Sequence, residues 1–219
     1  MLAARLLLCL AFVIAMLTAA GAAPATGLHA AAASGDTARV RALLASGATI
    51  DARDAQGRTA LLVATHHNQV QAAKVLIEAG ADVNARDEIQ DSPYLYAGAR
   101  GHNEILRMAL AHGADLRSTN RYGGTALIPA AERGHVETVR MLIAAGVDVD
   151  HVNRLKWTAL LEAIILGNGG AAHTEIVRLL VQARANVNLA DGEGISPLQH
   201  ARQRGYAQIE HILGAAGAR

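Results

Sequence analysis

The sequence predicts an all-α repeat solenoid, a stack of short helical units rather than a domain built around one core. One observation is a three-residue motif that starts with Thr or Ser, such as Thr59-Ala60-Leu61, and recurs every 33 residues. A second is that each copy opens one short apolar run and precedes another, with Gly closing most runs. A fixed period of about 20–50 residues is typical of stacked supersecondary units. The copies begin at Thr26, Thr59, Ser92, Thr125, Thr158 and, 38 residues after the last of these, Ser196.

Each unit is predicted to begin with a turn and continue into its first helix. An acidic or amide residue opens the turn, and the Thr or Ser five residues later is placed to cap the helix by accepting from backbone N–H groups. A residue suited to left-handed backbone, Gly or once Asn, then ends the helix. The turn openers are Asp54, Asp87, Asn120, Asn153 and Asp191, and the helix ends are Gly35, Asn68, Gly101, Gly134, Gly167 and Gly205.

A second apolar run follows and predicts the second helix of the unit. It ends at another glycine, usually followed by a finger-like segment such as Ala81-Asp82-Val83-Asn84. Each helix spans only about 8–10 residues, whereas isolated helices are marginal even at ~12–15 residues. The units must therefore stack on one another and bury their Leu, Val, Ile and Ala faces.

In these residues the sequence resembles the ankyrin-repeat family, whose pattern is D-x-x-G-x-T-P-L-H-x-A-A-x-x-G-H followed by L-L-x-x-G-A-D-V-N. The resemblance covers residues 26–219 and implies about six helix-turn-helix units with β-hairpin-like fingers. We number them units 1 to 6, with the ranges 26–53, 54–86, 87–119, 120–152, 153–190 and 191–219.

Three departures from the pattern affect local geometry. Unit 5 has five additional residues between its helices, residues 168–172, which account for its length. Arg184 stands where the second helix should end in Gly, and Gln90 and Lys156 replace the Gly of two finger turns. A left-handed conformation at Arg184 would cost on the order of 1 kcal/mol.

Residues 1–25 precede the repeats and have the layout of a secretory signal peptide. A short positive start is followed by the apolar run Leu6–Leu17 and then by small residues, with cleavage expected after Ala22 or Ala25. The alternative is an uncleaved membrane anchor. The only cysteine, Cys9, lies in this segment, so the mature chain has no disulfide to form. Because 18 of the 20 basic residues are Arg in an Ala-rich chain, we expect a GC-rich bacterium as source, and hence a periplasmic protein.

The charge balance argues against nucleic-acid binding. Removal of the leader takes away Arg5 and no acid, which leaves 19 basic and 19 acidic residues. Nucleic-acid binding needs a basic stripe that such a chain lacks. No further apolar run is long enough to predict a membrane span after cleavage.

The motifs of enzymes and metal sites are missing from the sequence. There is no Gly-x-Ser-x-Gly elbow, no phosphate loop and no mature cysteine nucleophile, so we predict no catalytic residue and no cofactor. Among ten histidines, His66 and His67 are adjacent and diverge on a helix, where a metal pair needs a spacing of three or four. His102, His135 and His173 stand at a position where His is ordinary in the resembled family. We therefore predict no metal site.

The resemblance also implies where a partner would bind. Partners of such stacks are usually met by variable finger positions and by the exposed side of the first helix. Aromatic and Arg anchors in an apolar patch are typical of interface hot spots. The alternative is that the apolar members pack as core. Carried over by position, units 4 to 6 place these residues on one concave face: Arg121, Tyr122, Arg133, Arg154, Leu155, Trp157, Ile165, Leu166 and Ile195.

The sequence thus predicts a non-enzymatic, periplasmic module that binds another protein through this face. The similarity to short exported bacterial ankyrin proteins implies a link to peroxide defence or to inhibition of another protein. The competing hypothesis is a small-ligand or metal-dependent enzyme that uses the His-rich inner face of units 2 and 6, with the Gly-rich insertion as a lid.

Overall fold

The computed structural model describes residues 23–219, with side chains from Gly27 onward. The predicted signal peptide lies outside the described residues, apart from residues 23–25, which form the start of the first helix. That helix begins at Ala23, three residues before the expected cap at Thr26.

Within this range the chain forms twelve helices, two for each predicted unit. The helices are α1 (Ala23–Ser34), α2 (Thr37–Ala45), α3 (Ala60–His66), α4 (Val70–Glu78), α5 (Pro93–Arg100), α6 (Asn103–Ala111), α7 (Leu127–Glu132), α8 (Val136–Ala145), α9 (Ala159–Ile165), α10 (Ala171–Gln182), α11 (Pro197–Gln203) and α12 (Ala207–Ala215).

The helices stack in two layers, which confirms the predicted all-α solenoid. The odd-numbered helices form one layer, in which each packs on the next, and the even-numbered helices form the second layer in the same way. The two helices of each unit also pack on each other. All substantial helix contacts therefore run within a unit or between adjacent units, as expected for a stack of mutually dependent repeats.

The predicted hydroxyl caps are present in four units. Thr59, Ser92, Thr158 and Ser196 each accept a hydrogen bond from the backbone N–H three residues later. Each cap fixes where a first helix of the odd-numbered layer begins, and so fixes the position of the finger before it.

Unit 4 lacks this cap because of a proline. Pro129 has no N–H to donate to the Thr125 carbonyl, and the Ile128 N–H donates to that oxygen instead at 3.2 Å. The Thr125 hydroxyl oxygen is consequently buried without a hydrogen-bond partner in the described part of the chain, and α7 begins only at Leu127.

The fingers are tight turns rather than paired strands, since residues 23–219 contain no β-strand. In each finger an Asp or Asn side chain accepts from two backbone N–H groups, as Asn153 does from Leu155 and Trp157 at 2.9 and 3.0 Å. Gln90 and Lys156 have φ values of 69° and 65° in these turns, and Arg184 has φ 65° after α10. The left-handed conformation expected at Arg184 is therefore present.

The core consists mainly of Leu, Ile, Val and Ala side chains shared between adjacent units. Tyr94 is fully buried in place of a Leu. Gly98 of α5 marks a close approach of units 3 and 4, because a Cβ there would lie 2.8 Å from the Ala126 Cβ. This close contact brings α5 near the start of α7, where the groove described below is formed.

The insertion in unit 5 is packed against unit 6. The Tyr206 hydroxyl donates to the Gly167 carbonyl at 3.0 Å, and a Cβ at Gly169 would lie 2.4 Å from the Tyr206 ring. Asn168 accepts from the Gly170 N–H at 2.9 Å, and α10 starts one residue later at Ala171. The Gly-rich segment thus joins two units instead of forming a free lid.

Candidate partner-binding groove

An open groove of about 390 Å³ lies between the fingers and the first helices of units 3 to 5. One side of the groove, here called its floor, is formed by the exposed face of α5, α7 and α9. The other side is formed by the fingers that precede these helices. The side-chain caps of α5 and α9 and the Asp or Asn turns of the three fingers fix the positions of the residues that line the groove.

Three large apolar side chains stand exposed at this groove. Tyr122 and Leu155 are each 54% exposed at successive finger tips, and Leu166 is 50% exposed just after α9. All three line the groove together with Arg121 and Arg133. Five of the nine predicted partner residues are thus brought to one concave surface.

The other four predicted residues do not line the groove. Trp157, Ile165 and Ile195 are partly buried rather than fully exposed. Arg154 connects two fingers: its guanidinium donates to the Arg121 carbonyl at 2.8 Å, and its backbone N–H donates to the Tyr122 carbonyl at 3.0 Å. Arg154 therefore fixes the backbone of the finger that carries Tyr122.

The groove has a cationic border made by Arg100, Arg121 and Arg133. The Arg100 and Arg121 guanidinium carbons lie 5.4 Å from the Tyr96 ring centroid and 4.9 Å from that of Tyr122, in cation–π geometry. Arg133 donates to the Ala99 carbonyl of unit 3 at 2.9 Å. These contacts hold Arg100 and Arg133 at the ends of α5 and α7, and Arg121 in the finger of unit 4.

A buried carboxyl group forms part of the floor. Glu162 is only 6% exposed and accepts from the Asn153 side-chain amide at 2.8 Å. Burial, reinforced by the nearby charge of Glu132, raises the pKa of Glu162 to about 7. The groove floor therefore changes charge near neutral pH. In unit 6 the positions of Asn153 and Glu162 are taken by Asp191 and His200, and the His200 Nε2 lies 2.7 Å from Asp191 Oδ2.

Sequence reasoning missed Glu162 as a groove residue. A signal for Glu162 was present, because it is a lone acid inside the apolar run Leu160-Leu161-Glu162-Ala163-Ile164. A carboxyl in such a run is costly to bury without a partner, so it indicates a functional or hydrogen-bonded position. The partner, Asn153, stands nine residues earlier in the finger, which only the fold reveals.

The fold defines a helical repeat protein with an open groove along the first helices of units 3 to 5. The model of the family described as ankyrin repeats (3 copies) matches residues 1–87 and 94–191. The chain belongs to the ankyrin-repeat family. Members of this family are in general non-enzymatic modules that bind other proteins.

Solved structures show the same architecture. An ankyrin repeat domain from Acinetobacter baumannii AYE is 68% identical, with a TM-score of 0.86, over 88% of this chain and 98% of that chain. The ankyrin repeat domain of Bcl-3, a member of the IκB protein family, is 28% identical, with a TM-score of 0.78, over 88% of this chain and 86% of that chain.

A curated relative is the putative ankyrin repeat protein YahD of Escherichia coli (strain K12). It is 46% identical over 57 residues, which are 26% of this chain and 28% of YahD. The match thus spans little more than a quarter of that relative. Among the helices of the described range, none is both long enough and apolar enough to cross a membrane.

Proposed function

We propose that this chain is a non-enzymatic protein-binding module that holds its partner in the groove of units 3 to 5. The observation that carries the proposal is the exposed apolar group Tyr122, Leu155 and Leu166, bordered by three ordered arginines. Exposed apolar patches of this kind mark association sites, and aromatic and Arg side chains dominate binding energy. Family membership supports the same class of function.

The charge of the border selects the chemistry of the partner surface. Arg121 and Arg133 lie 4.0 and 3.9 Å from the Asp91 and Glu132 carboxylates of the same groove, in long, partly exposed ion pairs that contribute little. The guanidinium groups therefore remain available to carboxylates of a partner, which they bind in a planar, bidentate manner. The apolar side chains between them favour a Leu-like or aromatic residue of the partner. We therefore expect the bound segment to be acidic, with one or two apolar side chains.

Capture by variants of the purified chain tests this proposal. The double variant Tyr122→Ala/Leu155→Ala should lose about 2 kcal/mol or more of binding free energy while its circular dichroism stays unchanged. Ile89→Ala is the matched control, since Ile89 is a finger residue 52% exposed but outside the groove. A partner captured equally by the double variant and by wild type would contradict the assignment of the groove.

We also propose export to the periplasm, on the basis of the leader-like residues 1–25. Of the two expected cleavage points, the one after Ala22 keeps α1 complete, whereas the one after Ala25 removes its first three residues. Mass spectrometry of the mature protein from a periplasmic fraction tests this. Recovery of the uncleaved chain in the membrane fraction would favour the anchored alternative.

The biological process is proposed from sequence similarity alone. A role in peroxide defence predicts that a deletion strain is more sensitive to hydrogen peroxide than its parent, and that the Tyr122→Ala/Leu155→Ala variant fails to complement it. Equal survival of the two strains would remove this role. Inhibition of the captured partner would then be tested by adding the purified chain to it.

A further inference from the structure

A second cluster of side chains lies at the junction of units 2 and 3. It consists of His66, the last residue of α3, with Asp87 and Asp91 from the finger of unit 3. Each offers one possible ligand atom, and these atoms all lie within 4.8 Å of one another. Asp87 and Asp91 follow His66 by 21 and 25 positions, so no helical ligand spacing relates the carboxylates to the imidazole.

The His66 Nε2 makes no hydrogen bond within the described part of the chain, a property that it shares with the His102 Nδ1. The His66 Nε2 is also shielded from solvent. His173 is the contrasting case, since its Nε2 lies 2.9 Å from the Glu132 carbonyl and its Nδ1 lies 3.0 Å from Asn168 Oδ1. A buried polar atom without a partner is costly, so the His66 nitrogen is a vacant donor or acceptor.

The His66 ring is held in a fixed orientation. Its centroid lies 4.0 Å from that of the Tyr96 ring, with the planes inclined at 32°. Such a stacked contact limits rotation of the imidazole, so the ring is presented in one direction without a hydrogen bond to fix it.

The two carboxylates are also oriented but not strongly paired. Asp87 is buried, and its Oδ1 accepts from the backbone N–H groups of Ile89 and Asp91 at 3.0 and 2.9 Å, which leaves the second oxygen for another contact. Asp91 forms a long ion pair with Arg121, whose Nη1 lies 4.0 Å from Asp91 Oδ2. A partly exposed ion pair of that length contributes little, so it competes weakly with a metal ion.

We propose that His66, Asp87 and Asp91 bind a transition-metal dication, with Zn²⁺ as the best match to the donor set. One imidazole nitrogen and two carboxylate oxygens are ligands that Zn²⁺ takes at about 2.0–2.2 Å. Mg²⁺ and Ca²⁺ prefer all-oxygen sites, so the imidazole selects against them. Three protein ligands leave the fourth tetrahedral position to water or another ligand. The inference does not depend on the proposed partner, although Asp91 also lines the groove.

Calorimetric titration of the tag-free protein with ZnCl₂ at neutral pH tests the site. We expect one Zn²⁺ bound per chain and a melting temperature that rises with Zn²⁺. His66→Gln and Asp91→Asn should each raise the Kd at least about tenfold, because each removes a ligand while keeping the side chain's size. His67→Gln is the matched control, since His67 is adjacent but exposed, and should bind like wild type.

Several outcomes would overturn the proposal. These are no Zn²⁺ binding by the wild-type chain, unchanged binding by His66→Gln, or equal loss of binding in the His67→Gln control. Mg²⁺ binding as tight as that of Zn²⁺ would also overturn it, because an imidazole ligand would then have no role. If His66→Gln loses helicity by circular dichroism, Asp91→Asn decides alone: retained binding refutes the site and lost binding supports it.

Discussion

The buried carboxyl of Glu162 makes a quantitative prediction about stability and pH. Burial raises its pKa from 4.5 to about 7 in the folded chain. The folded state therefore keeps a proton that the unfolded state has already lost between those two pH values. The contribution of Glu162 to the free energy of unfolding is fully present below about pH 4.5. It falls as the pH rises toward 7 and does not recover at higher pH.

The size of the effect follows from the pKa difference. Each pKa unit corresponds to about 1.4 kcal/mol, so ionised Glu162 lowers the free energy of unfolding by about 3 kcal/mol above pH 7. In Glu162→Gln the Asn153 amide can still donate to the side-chain oxygen, but no charge forms. We expect the variant to match wild type near pH 4.5 and to be more stable by about 3 kcal/mol at pH 8.

Urea unfolding of both proteins, followed by circular dichroism from pH 4.5 to 8, measures this difference. Subtracting the two profiles removes the titrations that both proteins share. Glu137→Gln serves as control, because that glutamate side chain is 57% exposed and its replacement should leave the profile parallel to wild type. A Glu162→Gln profile parallel to wild type would refute the reasoning from burial.

The remaining predictions concern backbone and packing, and each is measured by urea unfolding at fixed pH. Arg184→Gly should stabilise by about 1 kcal/mol, since it relieves φ 65°, and no gain would show that the strain is already compensated. Gly169→Ala should destabilise by about 2–4 kcal/mol through its left-handed φ and its clash with Tyr206, whereas a neutral result would show that the unit 5–6 joint is loose. Tyr206→Phe should lose about 1 kcal/mol with its hydrogen bond to Gly167, and unchanged stability would show that the bond is unimportant. Thr158→Ala should lose about 1 kcal/mol with the α9 cap, unless water replaces the hydroxyl at no cost.

The stack was predictable because its determinants are local and repeated. The caps at Thr59, Ser92, Thr158 and Ser196 and the left-handed residue Arg184 follow from residue type and period alone. Thr125 is the exception with a physical reason, since Pro129 four residues later redirects the Ile128 N–H to the backbone carbonyl. The Thr125 hydroxyl and the Thr125 carbonyl compete for the same N–H within one helical turn, and the repeat pattern alone does not predict which of them accepts it.

The groove was only partly predictable, because exposure depends on packing between units. Tyr122 and Leu155 occupy variable finger tips and are exposed as expected, whereas Trp157 and Ile195, at another finger position, are half-buried. The pairing of Asn153 with Glu162 connects a finger to a helix, and the approach of His66 to Asp87 connects two units. Neither relation is visible as a sequence spacing.

Because helix contacts are restricted to adjacent units, the stack can unfold in part. Units 3 to 5 are supported on both sides, by unit 2 and by unit 6, whereas α11 and α12 lean on unit 5 alone within the described range. Opening at the carboxyl-terminal end by heat or a protease would therefore proceed as fraying, one repeat at a time. If α11 and α12 unfolded, the fingers of units 3 to 5, which line the groove, would still be in place.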